Sequence, residues 1–355
     1  MRAVVLPAPG QSLLVDELHP EPGAGKEGGE IIEVTACGVC HSDLHVVDGD
    51  YAGNYPLVLG HEVTGQHAEL GAVMVYAPWG CRDCAECNAN LEMICSNSTE
   101  AGLLIDGGYS ERMWVKHRRY LAPLDDLDPV SSAPLACGGL TAYRAVNHGL
   151  DILRERGPAG RALVIGAGGL GQFAIRYLRL LSDAHVTALD SSDHKRATAL
   201  EIGAHAAVSP DALSPDDGPG PADVVIDFVG AEATLTTAAS VVAKRGMVAV
   251  VGLRSGRIPF GFGAVPHEAR FLSSIWGSRS QLDELLDLAR REPSIIQPVE
   301  TLPLTDAQKA HDRLRAGDVR GRIVLVANPT RLPTQPSSRP DRKTNQTPIS
   351  ERDFT

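Results

Sequence analysis

Residues 162–190 read ALVIGAGGLGQFAIRYLRLLSDAHVTALD, and this stretch decides the fold. An apolar run enters Gly166, and Gly166, Gly168 and Gly171 follow the pattern G-x-G-x-x-G, with Gly169 and Leu170 inside it. QFAIRYLRLL then carries apolar residues at helical spacing, and HVTALD returns to a strand. A glycine motif alone is a weak signal, but a strand before it and a helix after it make a βαβ unit. The glycines permit a tight turn and close backbone approach, and the amides at the helix start offer partial positive charge to a pyrophosphate. Asp190 ends the second strand, where a carboxylate accepts hydrogen bonds from both ribose hydroxyls and repels a 2'-phosphate. The expected cofactor is therefore NAD rather than NADP; the plain alternative for Asp190 is an acid closing a strand.

Downstream, KRATALEIGA, DVVIDFVG, ATLTTAASVVAKRG and MVAVVG continue the alternation of helix and strand. A doubly wound parallel sheet from about 150 to 280 follows, with QLDELLDLARRE as an amphipathic helix after it. Upstream, residues 1 to about 130 are rich in Gly and Pro, with short β-type runs at 2–6, 30–35 and 72–76, which predicts a β-rich domain with functional loops. The final stretch, 331–355, holds four prolines and almost no apolar residues and is expected to be disordered.

The totals agree with two domains, since single cores stop growing at roughly 250–300 residues and the chain has 355. With 43% hydrophobic and 22% charged residues it reads as an ordinary globular protein. No apolar run approaches the roughly 20 residues that span a bilayer, and the start lacks the layout of a secretory signal, so a cytoplasmic address is expected. A net charge of −11 argues against nucleic acid or an anionic membrane as the main partner. Seven cysteines in such a chain point to metal ligation before disulfides.

Their spacing sorts them. Cys81, Cys84, Cys87 and Cys95 form C-x2-C-x2-C-x7-C, four soft donors that close a tetrahedral zinc and leave no open position, hence a structural site. An iron–sulfur cluster or four unrelated thiols are the other readings. A nucleic-acid zinc ribbon would need clustered bases, whereas residues 79–97 hold one arginine against three acids. A second set is scattered: CGVCHSDLH with Cys40, His41, Ser42, Asp43 and His45, GHE at 60–62, and APLACGG with Cys137. Two thiolates and one imidazole, His61, would make three ligands and leave one position for a substrate oxygen, which is how a catalytic zinc is built. Alone, His61 is more often a hydrogen-bonded structural histidine.

CGVCHSDLH, GHE, the four-cysteine lobe, APLACGGLTAY and VIGAGGLG occur here in the order found in zinc-containing medium-chain alcohol dehydrogenases, and the chain resembles that family over about residues 1–328. The resemblance implies an α/β protein made of a GroES-like β-rich catalytic domain and a Rossmann domain with a doubly wound parallel sheet. The expected boundaries are 1–145 for the catalytic domain with its structural lobe at 81–95, 146–280 for the NAD-binding domain, and 281–330 for a return to the catalytic domain. It implies a catalytic zinc on Cys40, His61 and Cys137, a structural zinc on the other four cysteines, and Glu62 beside the catalytic ion as a neighbour or transient ligand. Cys37 matches no ligand.

By the same resemblance Ser42 is the hydroxyl that takes the substrate alcohol's proton and His45 passes it to solvent. His41 meets the cofactor pyrophosphate, Thr141 lies near the nicotinamide, Lys195 edges the adenosine and Arg320, in GDVRGRIVL, reaches the phosphates. The implied reaction is hydride transfer between a primary or secondary alcohol and NAD, giving an aldehyde or ketone, in a dimer or tetramer. The alternatives are a polyol or cyclitol dehydrogenase of the same fold, or an impaired zinc and dinucleotide binder. The last is raised by a departure from the family pattern: only twenty residues separate His61 from Cys81, about ten fewer than usual, which puts the sheet beneath the lobe in doubt. Trp276 and Leu104 are expected to shape the substrate pocket.

Overall fold

Strand Glu30–Gly38 alternates buried Ile32, Val34 and Ala36 with more exposed neighbours, so one face lies on a core and both edges are free to pair. In the computed structural model, which describes residues 1–23, 28–51, 53–212 and 220–327, those edges organise a seven-stranded sheet. The expected disordered tail, 331–355, lies outside the described residues. Along the sheet the order is Leu121–Pro123, Gly71–Val75, Glu62–His67, Glu30–Gly38, Arg322–Val326 and Val299–Pro303, while Arg112–Val115 pairs with the first half of Glu30–Gly38. The chain's late strand Arg322–Val326 thus returns to the sheet built by its first third. Gly38 faces Glu62 on one side and Val324 on the other, which brings three distant segments to one end of the sheet.

The second sheet is parallel throughout, in the order Ala206–Val208, His185–Leu189, Arg161–Ile165, Ala222–Asp227, Val242–Val250 and Arg270–Ser273. Chain order reverses between Arg161–Ile165 and Ala222–Asp227, and ligand crevices form outside the carboxyl ends of strands at such a switch point. Strand Ala222–Asp227 is buried along its whole length because helices cover both faces. Helix Gly169–Leu181 packs Phe173, Ala174, Ile175, Tyr177 and Leu178 inward. Helix Arg279–Arg291 does the same with Leu282, Leu285, Leu286 and Ala289. The run ATLTTAASVVAKRG does not stay helical: helix Glu232–Val241 ends where β-branched Val241 and Val242 meet, and strand Val242–Val250 begins.

The short stretch after His61 leaves the sheet intact. Strands Glu62–His67 and Gly71–Val75 pair antiparallel down to His67 opposite Gly71, closing on a tight turn. His67 stabilises it: Nδ1 accepts from the amides of Glu69 (3.3 Å) and Leu70 (3.2 Å), while Nε2 lies 2.9 Å from Glu30. Val63, Val73 and Met74 are fully buried behind the turn, so the wall of the core is complete here. Beneath the cysteine lobe Trp79, Tyr120 and Tyr76 stack in a layer, with centroids 5.8 and 6.4 Å apart. Among the described residues no helix is long and apolar enough to cross a membrane.

His67→Ala removes an acceptor from two turn amides and should destabilise the zinc-loaded protein by about 1–3 kcal/mol, read as a lower urea midpoint. An unchanged midpoint would show that the turn does not depend on this side chain.

Candidate active site

The cleft between the two sheets has a volume of about 320 Å³ and collects side chains from at least four separate parts of the chain. Cys40 caps helix His41–Asp48, and its amide donates to Asp43 Oδ2 at 2.8 Å, which fixes the turn that carries Cys40, His41 and Ser42. His61 enters from the strand leaving Gly60, whose φ of +95° suits glycine and where a Cβ would strike Cys37 Sγ and the Tyr109 ring. Cys137 stands at the junction between the turn Ala133–Ala136 and helix Gly138–Asn147. One donor atom from each of Cys40, His61, Glu62 and Cys137 lies within 4.8 Å of the others, and all four residues are buried.

The donors fit a divalent cation of zinc type. Two thiols this close share a proton: Cys40 is pushed well down by the hydrogen bond from Cys137 and then by His61, and Cys137 is pushed well up by the same contact. A cation would hold both as thiolates. Burial pulls His61 down, but Asp43 outweighs it and raises the imidazole well above its ordinary value. His61 Nδ1 lies 3.0 Å from Asp43 Oδ1, and the imidazole also interacts with the Cys40 thiol. An imidazole oriented by a carboxylate on one nitrogen, with the other left to the metal cluster, is how a metal-binding histidine is presented. Asp43 is itself held by the Tyr109 hydroxyl at 3.0 Å.

Glu62 faces the same point from behind. Gly138 N donates to its Oε1 at 3.0 Å, and Arg322 Nη2 to its Oε2 at 2.5 Å. Burial raises its carboxyl to about 7 against the opposing pull of Arg322. In the lobe, Cys81 and Cys87 sulfurs stand 4.0 Å apart and Cys84 and Cys95 sulfurs 3.7 Å apart. Tetrahedral ligation at about 2.3 Å per Zn–S bond requires sulfurs roughly 3.8 Å apart, so the four fit one zinc. The amides of Cys81 and Asn97 point at Cys95 Sγ, each at 3.4 Å, and support a thiolate there.

The cofactor side of the cleft is lined by His41, His45, Thr141, Gly166, Gly168, Gly169, Leu170, Gly171, Asp190 and Lys195. A Cβ on Gly171 would come within 1.9 Å of the Gly166 carbonyl, so helix and turn pack this closely because glycine is there. Asp190 Oδ2 accepts from the Ala167 amide at 2.9 Å and Oδ1 from Ser192 at 2.9 Å, tying the second strand to the glycine turn. Ser42 Oγ is 3.8 Å from Cys40 Sγ, and His45 Nδ1 is 2.7 Å from Asp50 at the edge of the cleft.

Two expectations from the sequence need correcting. Arg320 is exposed and does not line the cleft; Arg322, two residues on, is buried against Glu62, with Nη2 also 3.2 Å from the Val39 carbonyl and its Nη1 close to Gly169. Strand pairing decides this, because Arg322 begins the paired strand and Arg320 precedes it. An arginine opening a wholly apolar run was the available signal. Leu103, and not Leu104, lines the cleft, together with the expected Trp276. The roles of Asp43 and Tyr109 escaped sequence reading, although Asp43 sits at the capping position three residues after Cys40.

A metal-ready cluster of two cysteines and one histidine, opening on a dinucleotide crevice, defines a zinc-dependent dehydrogenase. Comparison with known proteins narrows the class. Residues 26–126 match the family described as alcohol dehydrogenase GroES-like domain, and residues 169–291 match the zinc-binding dehydrogenase family. An NAD-dependent alcohol dehydrogenase of Sulfolobus acidocaldarius is 32% identical over 92% of this chain and 99% of its own. A D-arabinose 1-dehydrogenase (NADP(+)) of Saccharolobus solfataricus is also 32% identical, over 92% of this chain and 97% of its own. The crystal structure of an alcohol dehydrogenase from Aeropyrum pernix superposes with a TM-score of 0.82 at 30% identity, covering 92% of this chain and all of that one. The chain belongs to the zinc-containing medium-chain alcohol dehydrogenase family. It is an NAD-dependent alcohol oxidoreductase with zinc and NAD as its cofactors.

Metal analysis should find two zinc ions per chain, one for each cluster. Cys95→Ser should leave one and lower the melting temperature by more than about 5 °C. Cys137→Ser should lose the other with a smaller thermal effect; equal zinc in both variants and the parent would refute the ligand assignment.

Proposed function

We propose that the chain oxidises primary or secondary alcohols to aldehydes or ketones with Cys40, His61 and Cys137 holding the catalytic zinc, and that Cys81, Cys84, Cys87 and Cys95 hold a structural one. The convergence of three buried donors, 21 and 76 residues apart along the chain, at the mouth of the dinucleotide crevice carries this reading. When bound, the zinc polarises an alcohol oxygen and lowers its pKa, and NAD accepts the carbinol hydride. The chain's own residues do the rest. Asp43 orients His61; Glu62, restrained by Gly138 and Arg322, sits beside the ligands as a second carboxylate. Ser42 Oγ, next to Cys40, takes the alcohol's proton, and His45 at the cleft edge hands it to solvent. Such a relay is required because hydride transfer favours a dry site while the proton must still leave.

On the cofactor side, the glycine turn and the start of helix Gly169–Leu181 take the pyrophosphate, with His41 in the cleft lining and Arg322, buried behind Gly169, supplying donors near it and Asp190 taking the ribose hydroxyls. Lys195 edges the adenosine and Thr141 the nicotinamide. The protein works on small molecules, and a homo-oligomer in the cytoplasm is the expected setting. A sugar or polyol substrate is the second reading, favoured by the D-arabinose dehydrogenase among the relatives. An alcohol and polyol panel followed by NADH absorbance, with and without a chelator, separates the two.

Ser42→Ala should lower kcat by about 100-fold while leaving the Kd for NADH unchanged. Asp190→Asn should lower kcat/KM with NAD by about tenfold or more and improve the relative use of NADP. Unaltered cofactor preference would remove Asp190 from the ribose site.

A further inference from the structure

The relay and the metal cluster make no use of one buried acid next to them. Glu100 is 9% exposed and lies in the short strand Thr99–Glu100, which leaves the cysteine lobe and pairs with Pro78–Trp79. Its Oε1 accepts from Trp276 Nε1 at 3.2 Å. Trp276 comes from the opposite side of the cleft, three residues past the last strand of the parallel sheet, Arg270–Ser273. This hydrogen bond therefore joins the two sheet systems across the cleft.

Trp276 is held in an unusual way. Its φ is +49°, a left-handed conformation that side chains other than glycine seldom adopt without support. The next residue is anchored as well: the Tyr76 hydroxyl donates to the Gly277 carbonyl at 2.7 Å, and a Cβ on Gly277 would collide with Leu140. Two tethers from the zinc-bearing side thus set the backbone of the turn. The indole is 4% exposed, lines the cleft and meets the His61 ring edge to face, with centroids 5.4 Å apart at 82°.

An indole has one polar group, the Nε1 donor, and Glu100 consumes it. What Trp276 presents to the cleft is apolar, beside Leu103, Ile275 and the ring of Tyr51. Of the hydroxyls that line the cleft, Ser42 is committed to the proton and Thr141 to the nicotinamide side, while those of Tyr51 and Ser274 remain, the Ser274 Oγ buried without a partner among the described residues. Against the indole face itself a flat apolar substituent gains contact area that a small alcohol cannot.

We infer that Trp276, fixed across the cleft by Glu100, is the specificity-determining wall of the substrate pocket, selecting alcohols with a bulky apolar or aromatic group on the carbinol carbon over small alcohols. Glu100 is a positioning residue in this scheme, acting through the indole. The inference rests on the alcohol-oxidising reading given above and names its substrate class.

The test uses zinc-loaded full-length protein and three substrates, benzyl alcohol, ethanol and sorbitol. Binding of benzamide, a non-reducible relative of benzaldehyde, to the NADH complex is measured by calorimetry alongside. Trp276→Ala should lower the ratio of kcat/KM for benzyl alcohol to that for ethanol by at least about tenfold and weaken benzamide to a similar degree, with KM for NAD within about twofold of the parent. Trp276→Phe keeps a ring without the donor and should fall between the two. Glu100→Ala should resemble Trp276→Phe, and Glu100→Gln, which retains an acceptor, should restore most of the parent ratio.

An unchanged ratio and unchanged benzamide affinity in Trp276→Ala would overturn the inference, as would parent enzyme that oxidises ethanol as well as benzyl alcohol. Loss of the ratio in Glu100→Gln equal to that in Glu100→Ala would overturn the positioning role. If the parent oxidised none of the three alcohols, the functional reading would fail by itself, and weaker benzamide binding by Trp276→Ala would still support the wall.

Discussion

Three soft or neutral donors have to meet in a space from which water is excluded, and each must be kept from turning away to another partner. That constraint governs the architecture around the cleft. The neighbours of strand Glu30–Gly38 satisfy it: pairing on one edge delivers Glu62, with His61 just before it, and pairing on the other delivers Arg322. Cys40 follows the end of the same strand by two residues. A one-residue slip in either ladder would turn these side chains to the opposite face, so register here is a requirement of the chemistry as well as of the core. Burial on this scale is tolerable because every charge has an answering group: Asp43 for His61, Arg322 for Glu62, and the backbone of Cys40 for Asp43.

The parallel sheet contributes a different element, a turn of backbone amides at the start of a helix aimed into the same space. Several hydrogen bonds that hold the two sheet systems together come from one segment. Gly277 accepts from Tyr76, Trp276 donates to Glu100, and Arg279 donates to the carbonyls of Arg119 and Leu121 at 3.0 Å each. These bonds cluster where helix Arg279–Arg291 begins, next to the aromatic layer under the cysteine lobe. The lobe therefore does more than cap a surface loop. Its metal would steady the strand that carries Glu100, and through it the wall of the substrate pocket.

The shortened turn after Glu62–His67 shows how a loss that looks serious along the chain can be slight in space. Antiparallel neighbours need only a turn between them, and His67 supplies acceptors for two amides of a very short one. The residues facing the core on both strands are buried, so the short connection costs the core nothing.

The order of amino acids by itself determined the dinucleotide fold, because G-x-G-x-x-G between a strand and a helix is a local arrangement with few other uses. It pointed to the proposed structural metal site as well, since four cysteines within fifteen residues are close enough along the chain to gather round one ion. The proposed ligands Cys40, His61 and Cys137 were legible through family resemblance rather than through their spacing, which spans almost one hundred residues and carries no geometric information. Tertiary structure alone decided which arginine of GDVRGRIVL reaches the site, which leucine lines the cleft, and that Asp43, Tyr109 and Glu100 stand behind the side chains they support. Those outcomes depend on strand register and on contacts between separate segments, from Asp43 with His61, 18 residues apart, to Arg322 with Glu62, 260 apart. Such contacts are fixed by packing over the whole core, and no local pattern of residues encodes them.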